Sequence, residues 1–228
     1  MNLQQREQAI LQTLADLPRD ELVLIGGYAV NVYVPPRFSV DCDLVVLGDV
    51  EALVPILEGA GFVRAAQGHV PYGSYVRFVD PTRGASFDLL VDSVLDRQTG
   101  IRFGRELFQR HAGLRTTIGR ASPTRIELRV ADPELLFAMK FVVGRRQDIR
   151  DLFMLAGAEL SWEVIDGILR RQCPVELIER RAREIRTSVG APTYRASLEG
   201  AFGKIPDERF ATCRERLLTG VRGTPGSH

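Results

Sequence analysis

The stretch ELVLIGGYAVNVYVPPRFSVDCDLVV, residues 21–46, decides how the rest of the chain is read. It opens on an apolar run, Leu22-Val23-Leu24-Ile25, with the length and composition of a buried strand. Gly26-Gly27 ends the run at a point where the chain can turn tightly and the backbone can be approached closely. A short apolar segment, 28–34, reads as a helix closed by Pro35-Pro36. Arg37, Ser39 and the pair Asp41-x-Asp43 then lead into a second apolar strand, 43–47. Residues i and i+2 of a strand share a face. Asp41 and Asp43 therefore project together beside the glycine turn, and Cys42 points the other way, into the core.

Two neighbouring carboxylates repel unless something neutralises them. Solvation at a strand end, a shared proton, or a divalent cation held with substrate phosphates would each do so. A third acid, Asp88, sits inside the apolar strand ASFDLLV, 85–91, where a charge needs either solvent or a partner. Asp92 shares its predicted face and competes with it; the apolar setting favours Asp88. Gly26 and Gly27 form either an ordinary tight turn or a helix start whose free N–H groups meet a phosphate. Arg37 is a candidate phosphate contact or helix cap, and Ser39 a candidate phosphate contact or loop brace.

A second cluster follows Asp132-Pro133, a cap with proline at the first helical position. It runs Glu134-x5-Lys140-x4-Arg145-Arg146-x-Asp148-x2-Asp151. Lys140 and Lys204 are the only lysines of the chain, and Lys140 is embedded in the apolar helix LLFAMKFVVG. It must either snorkel outward or meet a buried anion. Asp148 and Asp151 share a helix face, as either members of a solvated, salt-bridged helix or functional acids.

The block GG-Y-A followed by R-x-S-x-D-x-D resembles the active-site signature of the nucleotidyltransferase superfamily, of the polymerase β-like and minimal nucleotidyltransferase type. The later E…K…R…RD..D segment, in that order, resembles the AbiEii-type group, which includes toxins of toxin–antitoxin systems. The resemblance covers about residues 20–155. It implies an α/β (α+β) core with a mixed sheet and a helical C-terminal domain. It implies catalysis and Mg²⁺ binding, with two ions, by Asp41, Asp43 and Asp88, with phosphate contacts from Gly26, Gly27, Arg37, Ser39 and Lys140. Arg145, Asp148 and Asp151 would be accessory. The implied reaction moves a nucleoside monophosphate from an NTP to an acceptor hydroxyl. A tRNA or other RNA 3′ end ranks first as acceptor, a small antibiotic-like molecule second and a protein side chain third. A small antitoxin protein is the implied partner. The alternative is a degenerate member that binds nucleotide or a partner without turnover.

Composition neither adds to nor opposes this. The chain has 228 residues, 45% hydrophobic and 26% charged, as in ordinary globular proteins, and a net charge of +1. No global basic field announces a nucleic-acid binder, although arginines crowd residues 140–186. Cys42, Cys173 and Cys213 form no framework, which fits a reduced, cytoplasmic setting. No apolar run reaches membrane-spanning length, and the amphipathic, acid-bearing start is not a signal peptide.

The periodicity predicts helices at 2–17, 28–34, 50–59 and 103–112. It predicts strands at 22–25, 43–47, 62–64, 74–79, 85–91, 114–118 and 126–130. Strands 74–79 and 85–91 read as a hairpin with a five-residue loop, and 66–73 as a loop. Six helices follow, near 133–144, 147–157, 161–171, 174–187, 194–202 and 206–219. The expected domains are 1–131 (nucleotidyltransferase α/β), 132–220 (helical) and a disordered tail, 221–228. Neither His69 nor His111 has ligand spacing, and no role is expected of them.

Overall fold

The structure, a computed structural model, describes residues 2–70 and 73–221. The chain divides into two compact units: Met1–Leu95 with Phe103–Asp132, and Asp96–Arg102 with Pro133–His228. The described part of each is taken by itself.

The first unit is built on a seven-stranded mixed sheet. Its strands are β1 (Leu22–Ile25), β2 (Asp41–Val46), β3 (Val63–Val70), β4 (Gly73–Asp80) and β5 (Ala85–Val91), then β8 (Ala112–Ile118) and β9 (Arg125–Ala131). Two-residue strands β6 (Val94–Leu95) and β7 (Arg102–Phe103) lie between them in sequence. The spatial order is β3-β4-β5-β2-β1-β9-β8. Pairs β2–β5 and β1–β9 are parallel and the others antiparallel. All four residues of β1 are buried, as expected of a central strand covered on both faces.

Helix α1 (Leu3–Asp16) packs on β5 and β9 through Ile10, Leu11 and Leu14. It also carries Glu7, 1% exposed. The Glu7 carboxylate accepts the backbone N–H groups of Arg120, Ala121 and Ser122 at 2.8, 2.8 and 3.1 Å. The connection between β8 and β9 is thereby tied to α1 by charge-assisted bonds.

Several expectations need correction. Helix α2 spans Gly26–Val30, so the glycine pair lies inside its first turn rather than before it. The segment 50–59 splits into a 3-10 turn, Val50–Leu53, and α3 (Val54–Gly59). Helix α4 is shorter than expected, Arg105–Arg110, with His111 at its C-cap. The loop expected over 66–73 is largely strand: β3 continues through Val70, and β4 starts at Gly73. Gly68 reads as a loop residue in sequence. In the sheet, a β-carbon there would sit 2.7 Å from the ring of Tyr75, its cross-strand partner. The missing side chain makes room for that ring. Pro71 and Tyr72, within that same expected loop, lie outside the described residues, as does the expected tail beyond Val221.

The second unit is helical: α5 (Pro133–Val143), α6 (Arg146–Leu155), α7 (Trp162–Gln172), α8 (Val175–Gly190), α9 (Tyr194–Phe202) and α10 (Asp207–Gly220). Helix α5 is central and packs against α6, α7 and α8. Its residues Leu135 to Val142 are all buried, Lys140 among them. Among the described residues no helix is long and apolar enough to cross a membrane.

Candidate active site

The acids of the first unit gather by strand register. Parallel pairing of β2 and β5 sets Asp43 opposite Asp88 and Asp41 opposite Ser86. Antiparallel pairing of β4 and β5 sets Arg77 opposite Asp88. Directly opposed residues on neighbouring strands share a face, with strands about 4.8 Å apart. Asp43, Asp88 and Arg77 therefore form a row across three strands, with Asp41 and Ser86 in the next row. The opposite face is core: Cys42, Phe87 and Leu89 are fully buried.

The carboxylate face is open to solvent, with the Asp41 and Asp88 side chains 39% and 24% exposed. The Arg77 guanidinium bridges them, donating to Asp88 Oδ2 at 3.1 Å, Asp41 Oδ1 at 3.0 Å and Ser86 Oγ at 3.3 Å. Ser86 Oγ also donates to Asp41 Oδ1. Burial pushes the Asp88 carboxyl above its ordinary range; Arg77 pulls it down, and the Asp41 charge pushes it up. The Cys42 thiol is held well above its usual range, first by burial and then by Asp43, Asp88 and Asp41. It behaves as an inert core group.

Asp43 lies at the end of β2 that pairs with Ile25, just before Gly26. Gly26 has φ 67°, and a β-carbon there would overlap the Asp43 carboxylate, with Cγ at 2.8 Å. A β-carbon on Gly27 would lie 2.5 Å from Ser39 Oγ and 3.1 Å from the Arg37 guanidinium. The glycine pair thus makes room for the acid-bearing segment itself. The segment is braced elsewhere too. Asn31 clasps the Arg37 backbone through both amide atoms, at 2.8 and 3.1 Å. Arg37 donates to Phe38 O, and Ser39 Oγ to Asp41 O. Gly26→Ala is expected to combine about 1–2 kcal/mol of left-handed strain with a displaced Asp43. Activity should fall about a hundredfold, read as kcat in a nucleotide-incorporation assay beside a melting curve.

Asp92 is not on the strand with Asp88. It follows β5 with φ 61° and pairs with Arg105, so it has left the carboxylate row.

In the second unit, Lys140 reaches Asp151 at 2.7 Å and Asp148 at 3.2 Å. Asp151 is fully buried and also accepts from Gln147. The Asp148 carboxylate additionally takes the Arg145 backbone N–H, capping α6. Arg150, on the same helix, donates to Ser197 and Gln147.

The donor set of the first unit suits a hard divalent cation, because it consists of carboxylate oxygens on one accessible face. Among the described residues no group of three ligating side chains is drawn round one point closely enough to hold an ion. Arg77 places a positive charge between Asp41 and Asp88. Neither Arg77 nor Ser86 stands out in the sequence as a site residue. The alternation of 74–79 puts Arg77 on one face of a strand paired with Asp88's strand, and the hairpin register decides which face that is.

A family profile for the nucleotidyl transferase AbiEii toxin of type IV toxin–antitoxin systems matches residues 9–223. No curated relative matches the sequence. Among solved structures, a Helicobacter pylori protein described as a nucleotidyltransferase aligns at 16% identity and TM-score 0.43, covering 98% of this chain and 93% of its own. JHP933 from the same species aligns at 15% identity and TM-score 0.41, covering 95% and 88%. A STING-associated CdnE c-di-GMP synthase from Capnocytophaga granulosa aligns at 12% identity and TM-score 0.25, covering 97% and 79%.

Proposed function

Because the chain belongs to the AbiEii nucleotidyltransferase toxin family, we propose that it moves a nucleoside monophosphate from an NTP to the 3′ end of tRNA or another RNA, using Mg²⁺. We propose further that it serves as the toxin of a toxin–antitoxin pair. What supports the reading is one observation: Asp41, Asp43 and Asp88 stand on the same open face of adjacent strands, beside Gly26.

Asp41, Asp43 and Asp88 would hold the metal. When bound, two ions would stabilise the entering and leaving oxygens of an in-line displacement at the α-phosphorus. The chain's own residues supply the frame. Strand register fixes the spacing of the carboxylates, and Gly26 lets Asp43 stand against the first turn of α2. Asn31 sets the backbone that carries Arg37, and Ser39 braces Asp41. The proposed phosphate contacts of Gly26, Gly27, Arg37, Ser39 and Lys140, and the accessory roles of Arg145, Asp148 and Asp151, rest on the family pattern. Arg170, Arg171, Arg180 and Arg183 are exposed on α7 and α8 and suit an RNA backbone.

The test is incubation with each α-labelled NTP and Mg²⁺ beside total tRNA, an aminoglycoside, or no acceptor. Label at an RNA 3′ end is expected. Label on the aminoglycoside or on the protein itself would overturn the RNA assignment.

A further inference from the structure

Arg77 has no part in the pattern of acids and glycines, yet its guanidinium engages two of the acids. It stands on β4, one strand beyond Asp88, and its guanidinium spans both rows of the carboxylate face. The oxygens it takes, Asp88 Oδ2 and Asp41 Oδ1, belong to two of the three proposed metal ligands. A guanidinium presents N–H donors, whereas a hard cation needs bare oxygen lone pairs. The guanidinium fills part of the lone-pair capacity of those oxygens and puts a positive charge where the ion's own would sit, so the two compete for the face. The Arg77 side chain is 40% exposed, so its head is free to leave towards solvent.

We propose that Arg77 is the resident counter-cation of the carboxylate face, and that a divalent ion reaches Asp41 and Asp88 only by displacing its guanidinium. The inference rests on the metal-dependent reading given above. Without a bound ion, Arg77 relieves the repulsion between Asp41 and Asp88. Once displaced, the guanidinium stays beside the ion and is matched in charge and geometry to a nucleotide's phosphates. Arg77 would then be a residue that tunes cation affinity, holding the face in order without metal and weakening its hold on metal.

The experiment is a Mn²⁺ titration of the full chain without nucleotide, followed by the electron paramagnetic resonance of free Mn²⁺. Arg77→Met removes the competing charge and is expected to bind Mn²⁺ about tenfold more tightly than the wild type. Arg77→Lys keeps the charge but loses the fork, and is expected to fall between them. Mn²⁺ should also raise the melting temperature of Arg77→Met more than that of the wild type. Equal or weaker Mn²⁺ binding by a folded Arg77→Met would overturn the role of Arg77 and leave the metal reading standing. If Arg77→Met fails to fold, Arg77→Lys decides, with tighter binding than wild type in favour and unchanged or weaker binding against. Absence of Mn²⁺ binding by all three proteins at millimolar ion would overturn the metal reading and the role of Arg77 together.

Discussion

Asp43→Asn is expected to lower nucleotidyl transfer by about a thousandfold or more while leaving the melting temperature nearly unchanged. The substitution keeps the shape of the side chain that lies against Gly26, so the close approach there is undisturbed. It removes one negative charge from a row already holding Asp88, with Asp41 in the next. Relief of repulsion from Asp88 and loss of the attraction to positive charge on the same face oppose each other, so the net change in stability is small. The expected pattern is therefore a split: activity lost, fold kept. Incorporation assays beside thermal melts of the same preparation would read it. Full activity in the folded variant would remove Asp43 from the metal site.

Lys140→Met should lower stability as well as remove the lysine's proposed phosphate contact. The lysine ammonium is the partner of a fully buried carboxylate, Asp151, and of the nearly buried Asp148. Taking away one member of a buried ion pair leaves the other charge desolvated, which costs about 3–5 kcal/mol. Gln147 still donates to Asp151 and offsets a part of this. Methionine fills similar volume, so little of the loss comes from packing. The double variant Lys140→Met with Asp151→Leu removes both charges and should regain most of the lost stability. Urea unfolding of the two variants measures the difference. A single variant as stable as wild type would show that the buried pair contributes nothing net.

Much of the first unit was legible because its signals are local. Leu22–Ile25 is a continuous apolar run, and 85–91 is an apolar stretch with a single embedded acid; both became strands at those positions. Asp132-Pro133 marked the start of α5, and the six helices after it fell near their expected places. Pairing register was less legible. A five-residue loop in the hairpin would have set Val79 against Ala85, and so Arg77 against Phe87. The actual turn pairs Asp80 with Ala85, because Asp80 is buried and accepts the N–H groups of Thr82 and Arg83. One residue of slip moves every side chain to the other face. That single step is what places Arg77 on the acids' side of the sheet. Gly68 misled for a similar reason: a glycine signals a loop locally, whereas its use here is set by Tyr75 on the next strand.

The candidate site was legible as a set of acids and not as a geometry. The DxD pair announces itself through strand alternation, but only the parallel pairing of β2 and β5 sets Asp88 opposite Asp43. Gly26 and Gly27 were expected to leave room for a phosphate. The room they leave is filled, on the protein's side, by Asp43, Ser39 and Arg37.

The most direct test of the account uses one NTP labelled in parallel at the α- or the γ-phosphorus, with Mg²⁺, RNA, and the wild-type or Asp88→Asn protein. Label from the α-position should enter the acceptor with the wild type alone, and label from the γ-position should appear only as pyrophosphate. Transfer of the γ-label to the acceptor, or undiminished α-transfer by Asp88→Asn, would contradict nucleotidyl transfer on the face formed by Asp41, Asp43 and Asp88.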